Sequence, residues 1–259
     1  MSARTVILRR HLGRLRSNRS VIIGLIFGAL ILTLLLIATT VVREPLSKAE
    51  ENLVYQYALW KNGMYSFLVL VFSTVLGSSL ANDDIKGGTI FGVLARPVSR
   101  TDYFVGSFLG AAIFVVVLES MRIVPSIGAS LIYSGGLTPA FALAMIAVLL
   151  GNLLWLAFFA AVGAVFSTAT SLLLGILAIL VTGLAFAPDL PSWLTYPMRI
   201  VAAFLPLSGE SETVYKSIVG ESQGFGPLVE VIAYRLCWTL ALALLGAWGF
   251  SRREIAPRT

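Results

Sequence analysis

Six stretches of this chain, at about 20–42, 64–81, 103–125 or somewhat beyond, 139–166, 171–187 and 228–250, are almost uninterrupted apolar sequence. Each is about as long as a helix needs to be to cross a hydrocarbon core of roughly 30 Å. No other feature constrains the fold as much. In lipid every backbone N–H and C=O must be bonded within the protein, which leaves helices or a closed barrel. A barrel would show short segments of alternating hydrophobicity, so these continuous runs predict helices. The expected class is an all-α polytopic membrane protein with six transmembrane helices, forming one transmembrane domain over 1–259. Composition agrees, with 58% hydrophobic and 12% charged residues against about 25% charged in an ordinary soluble domain.

The net charge of +6 is compatible with nucleic acid, but its position argues for no nucleic-acid partner. Arg4, Arg9, Arg10, Arg14, Arg16 and Arg19 precede the first apolar block, and Arg252, Arg253 and Arg258 follow the last. Flanking charge of this kind marks orientation in a membrane. Six spans put both termini on one side. With that side cytoplasmic, the cytoplasmic segments carry twelve Lys and Arg, including Lys86, Arg96 and Arg100. The opposite side carries five: Arg43, Lys48, Lys61, Arg199 and Lys216. The expected location is the cell (inner or plasma) membrane, multi-pass, with both termini cytoplasmic. The first block is too long for a secretory h-region and lacks a clear small-residue cleavage site, so it reads as a retained span.

Segment 1–19 places Leu8, Leu12 and Leu15 on one helical face with arginines elsewhere, as in an amphipathic helix lying in the cytoplasmic interface. His11 reads as a solvated residue of that surface. The connection 188–227 is broken by Pro188, Pro191, Pro197 and Pro206, yet is apolar for a solvated loop. It predicts an extracytoplasmic segment of short interfacial helices, with Trp193 and Tyr196 at headgroup level.

Several chemistries find no residues to support them. The single cysteine, Cys237, and single histidine, His11, build neither a disulfide framework nor a Cys/His metal cluster. No G-x-x-x-x-G-K-[ST] phosphate loop, H-E-x-x-H or Ser-His-Asp set is legible, and the one clearly intramembrane carboxylate is Glu119. The chain is therefore expected to be no enzyme: no catalytic residue, metal ligand or cofactor site is assigned to it.

The connection 82–102, "NDDIKGGTIFGVLARPVSRTD", is longer than the two to eight residues that join neighbouring antiparallel helices. Gly87 and Gly88 are expected to break the second span. Thr89 is positioned to cap a short helix containing Ile90, Phe91, Val93 and Leu94, which Arg96-Pro97 ends. Asp83 and Asp84 would lie before its positive N-terminal end. A short, part-apolar helix bracketed by charge suits either docking into a cytoplasmic partner or resting on lipid.

Residues 83–110, "DDIKGGTIFGVLARPVSRTDYFVGSFLG", resemble the loop of ABC-2 type transporter permeases. The order is an acid (Asp84), Gly88-Thr89, an apolar helix from Ile90 to Leu94, Pro97 to Arg100, and a G-x-x-x-G opening of the next span at Gly106 and Gly110. Asp84 stands where the family commonly has glutamate, and Ser107 where a lysine is frequent. The outline of the whole chain is similar to that family, in particular to the group containing the nitrous-oxide-reductase-maturation permease and sodium or drug exporters. The resemblance implies an exporter permease subunit with a second copy of itself or a homologous permease beside it in the lipid membrane. Two cytoplasmic ABC ATPase subunits would carry the ATP and Mg. The loop would be the coupling element, with Asp83, Asp84, Lys86, Arg96 and Arg100 as polar contacts and Phe91 and Leu94 as apolar anchors. A membrane anchor that recruits an ATPase or assembly factor without transporting is the alternative.

Three charges lie well inside spans: Glu119, Arg122 and Arg235. Counting about 1.5 Å per residue, Glu119 is roughly 24 Å from the start of the third span, and Arg235 about 10 Å from the start of the last. Both fall in the outer half. A charge at a bilayer centre costs on the order of 2.5–3.5 kcal/mol, so a partnership is expected, with Glu119 bridging Arg122 at i+3 and Arg235 across helices.

Overall fold

The computed structural model describes residues 64–80, 82–88, 98–134, 136–185, 191–204, 211–218 and 225–253, with isolated positions such as Ile7, Gly28, Ser47, Glu50, Gln56, Leu59 and Ile90. All regular structure among them is helical: α1 (Met64–Ser79), α2 (Asn82–Lys86), α3 (Arg100–Ser134), α4 (Pro139–Val165), α5 (Thr168–Ala185), α6 (Ser192–Phe204), α7 (Ser211–Ile218) and α8 (Phe225–Arg252).

Among the described residues, α3, α4 and α8 are long and apolar enough to cross a membrane. The segments expected to span at 64–81 and 171–187 contain the helices α1, with 16 residues, and α5, with 18, which are not among those three. Most of the expected first span and of the amphipathic segment 1–19 lies outside the described residues.

Helix α4 is the centre of the bundle, flanked by α1 and α8, with α3 closing over all three. Its start is set locally: Pro139 fits a first turn that needs no N–H there, and the Thr138 hydroxyl accepts from the Phe141 amide at 3.2 Å. Its buried face is rich in small residues, among them Ala144, Ala147, Ala157, Ala160 and Gly163. Small residues let membrane helices approach closely. At Gly77 of α1 the approach requires glycine, because a Cβ there would lie 2.7 Å from Phe159 Cβ and 2.9 Å from the Leu156 carbonyl.

Helix α3 is 35 residues long and passes through Pro125 to end at Ser134, where the sequence left its end at 125 or somewhat beyond. A proline inside a helix frees a carbonyl on the preceding turn, and membrane helices keep it where neighbours restore the bonding. The carbonyl freed here is that of Met121; on the other side of Pro125 Gln56 grips Ser126, its amide donating to the Ser126 carbonyl at 3.0 Å and the Ser126 hydroxyl donating back at 2.5 Å.

The arrangement of polarity is inverted relative to a protein in water. Glu119, Arg122, Ser73, Ser126 and Ser171 are buried, while Ile132, Leu173, Leu240, Leu244 and Trp248 lie more than half exposed on long helices. So much exposed apolar surface suits lipid, the build of a membrane-embedded, multi-pass protein. Two short helices, α6 and α7, occupy part of the 188–227 connection. Trp193 and Tyr196 are exposed on α6. Val214 and Ile218 of α7 are buried against Phe141, Met145, Leu228 and Val231.

Candidate functional site: the loop end of the bundle and the buried charge cluster

The ends of α1, α4 and α8 and the start of α3 converge at one end of the bundle, and polar side chains tie them. Asn82 is the hub. Its side-chain amide donates to the carbonyls of Ser78 at 2.9 Å, Gly163 at 3.1 Å and Phe166 at 3.1 Å. Its side-chain oxygen accepts from Arg253 Nη1 at 2.8 Å, and the same nitrogen donates to the Gly163 carbonyl at 3.2 Å. Arg100 Nη1 donates to the Arg253 carbonyl at 2.7 Å. Each guanidinium therefore sits at carbonyls left over where a helix ends, Arg253 at α4 and Arg100 at α8, where positive charge is favoured. Partial burial pushes the Arg253 pKa down from its usual value, and a guanidinium still carries its charge at any working pH.

The 82–102 connection differs in detail from the sequence expectation. Helix α1 ends at Ser79, and residues from Asn82 form a separate short helix with Asp83 and Asp84 in its first turn. The glycine pair ends that helix, not the span. Gly87 N–H donates to Asp83 O at 2.9 Å, and Gly88 adopts φ +70°, which glycine reaches without steric cost. Asp84 is buried and accepts from the Tyr103 hydroxyl, and Tyr103 stacks on Phe250 at 5.8 Å. Asp83 and Lys86 are exposed. Ile90 is fully buried in the main core. Thr89, Phe91, Leu94, Arg96 and Pro97 lie outside the described residues.

The second constellation is inside the bundle. Glu119 and Arg122, one helical turn apart on α3, are both buried and form a two-pronged pair: Arg122 Nη2 reaches Oε1 at 2.7 Å and Oε2 at 3.0 Å, and Nε reaches Oε2 at 3.2 Å. Such a fork is the strong form of ion pairing. Arg122 lies over the Tyr65 ring, 5.3 Å from its centroid, while the Tyr65 hydroxyl donates to the Leu118 carbonyl. The structure gives Glu119 a cross-helix partner in Asn152 of α4.

Arg235 is held on α4 as well. Its Nη1 donates to the Ala147 carbonyl at 2.7 Å, and the guanidinium lies over Gly151, where a Cβ would meet Nη1 at 3.1 Å. Glu119 and Arg235 thus both meet α4, Glu119 at Asn152 and Arg235 at Ala147 and Gly151.

Sequence reasoning overlooked Asn82, Tyr103, Asn152 and Gln56. A signal existed for Asn152, since an amide inside an apolar run needs a partner in lipid. Arg253 was legible only as a topology signal, because its partners are 90 and 171 residues away.

No family model matches this chain, and no curated protein sequence matches it.

Proposed function

We propose that the chain is the transmembrane permease subunit of an ATP-binding-cassette exporter, with six spans, an ABC-2 type fold and both termini in the cytoplasm of a cell that carries it in its inner or plasma membrane. It pairs with a second copy of itself or a homologous permease. ATP, with its Mg, is hydrolysed by two separate cytoplasmic ATPase subunits. The loop resemblance of residues 83–110 motivates the reading. The observation that carries it is the anchoring of the 82–102 connection at both ends, through Asn82 and Asp84 on one side and Arg100 and Tyr103 on the other. An ATPase that gripped the middle of such a connection would pull on α1, α3, α4 and α8 together. For nucleotide to drive transport, the ATPase must hold this connection differently in its two states.

The test is purification of the tagged full chain from its native membrane with whatever ATPase accompanies it. A phosphate-loop ATPase should be recovered, and deletion of 89–97 should release it. Recovery of no ATPase with the intact chain would sink the proposal. Recovery of an ATPase whose hydrolysis the chain leaves unchanged would instead support a non-transporting anchor.

A further inference from the structure

Helix α8 is the last of the described helices, yet its end is built into the loop between α1 and α3. Three pairs of side chains and helix-end groups carry most of that join. Arg253 Nη1 bonds the Asn82 side-chain oxygen and the Gly163 carbonyl, Arg100 bonds the Arg253 carbonyl, and Phe250 stacks under Tyr103. Only the first reaches both α2 and the end of α4 from a single side chain. The Gly163 carbonyl accepts from Asn82 at 3.1 Å as well as from Arg253 at 3.2 Å, so the α2, α4 and α8 ends share one acceptor. The α1 end is welded to the same point, since a Cβ on Gly163 would fall 2.8 Å from the Ser78 carbonyl.

We infer that Arg253 is a positioning residue that transmits displacement of the 82–102 loop to α8, acting through Asn82 and the Gly163 carbonyl. The inference rests on the proposed exporter reading and deepens it. Packing alone joins α1 to α4 and α4 to α8 along their lengths, but packed helices slide by small amounts with little resistance, the shear motion common in domain closure. A guanidinium fixed to an amide and a helix-end carbonyl prevents that slide at the end where the loop moves. Arg253 is outside the segment assigned to ATPase docking, so its loss should leave association intact and uncouple α8 from the loop.

The experiment uses the full chain purified with its ATPase and reconstituted in lipid nanodiscs, as wild type, Arg253→Ala, Arg253→Lys and Asn82→Ala. Three quantities are read: ATPase bound per chain, ATP hydrolysis relative to the free ATPase, and the change in hydrogen exchange of peptides from 82–88 and 225–253 on adding ATP with vanadate. Arg253→Ala and Asn82→Ala should keep ATPase binding within about twofold, reduce the stimulation of hydrolysis about tenfold, and abolish the nucleotide response of 225–253 while that of 82–88 persists; tenfold is within the usual range of site-to-site coupling. Arg253→Lys keeps the charge and loses the planar fork, so it should fall between wild type and alanine, and it supplies the answer where the alanine variants do not fold. Unchanged stimulation with an unchanged response of 225–253 in the variants would overturn the inference and leave the exporter reading standing. A wild-type complex in which nucleotide changes 82–88 but not 225–253 would do the same. A wild-type chain that brings down no ATPase would remove both.

Discussion

The Tyr103 hydroxyl donates to the Asp84 carboxylate, and the same ring stacks on Phe250. One residue in the first turn of α3 thus holds α2 on one side and α8 on the other, within a site where Asp84 is 6% and Tyr103 2% exposed. Tyr103→Phe keeps the stacking and removes the bond. A hydrogen bond to an ionisable partner contributes about 1.5–3 kcal/mol, so the substitution should lower thermal unfolding in detergent by that amount. Asp84→Asn, which still accepts from the hydroxyl, should lose less. Equal melting of Tyr103→Phe and wild type would show that stacking alone holds the join.

The Glu119 and Arg122 pair should behave as one unit. Arg122→Leu leaves a buried carboxylate without its fork, a loss of about 3–5 kcal/mol. Glu119→Leu combined with Arg122→Leu should recover most of that, because the uncompensated charge is gone. A thermal double-mutant cycle reads the coupling, and additive effects would contradict the pairing. The closed geometry also predicts a structural role: Glu119→Gln and Arg235→Gln should each lower stability while ATP hydrolysis by the reconstituted complex stays unchanged. Lost hydrolysis with unchanged melting would mark the cluster as part of a gate.

How much was legible in the sequence depends on the range of each interaction. The long apolar helices α3, α4 and α8 were readable because hydropathy is a local sum, and the expected start at Pro139 is that of α4. The Glu119 and Arg122 pair was readable because i+3 neighbours face each other on any helix. The partners of Arg235, Asn82 and Arg253 were not, since they depend on which helices are adjacent and at what height. The end of α1 was misplaced for a different reason. The sequence carries its strongest breaker at Gly87-Gly88, while α1 ends at Ser79 and the glycines end a second, shorter helix.

Close helix contact at α1 and α4 gives a steric prediction. A Cβ at Gly77 would meet Phe159 Cβ at 2.7 Å and backbone atoms of Leu156 and Ala160 within 3.0 Å, and backbone cannot rotate away. Gly77→Ala should therefore destabilise by about 1–3 kcal/mol, the usual cost of overpacking. Gly128→Ala on α3 meets nothing within 4 Å. There the gain in helix propensity, about 0.8–1 kcal/mol in an exposed soluble helix, should leave stability unchanged or higher. Thermal melting of the two alanine variants side by side tests the contrast, and equal shifts would show that α1 and α4 are not so close.

Acid should loosen the turn that Glu50 closes on Ser47. Its carboxylate accepts from the Ser47 backbone N–H at 2.8 Å and from the Ser47 hydroxyl at 2.7 Å, while Glu50 N–H donates to that hydroxyl at 3.4 Å. This reciprocal set is a capping box. Bonds from the Ser47 side chain, then from its backbone, favour the ionised carboxylate and hold its pKa below the ordinary glutamate value. A pKa lower in the folded than in the unfolded chain means that the contribution is complete above the unfolded value, about 4.3, and is lost as pH falls through the folded one. Hydrogen exchange of the Ser47 and Glu50 amides should thus be constant from neutral pH down to about 5 after correction for intrinsic rates, then rise in more acidic solution. Glu50→Gln should remove the acid-dependent step and leave the cap weaker at every pH. An acid step of the same size in Glu50→Gln would assign it to another carboxylate.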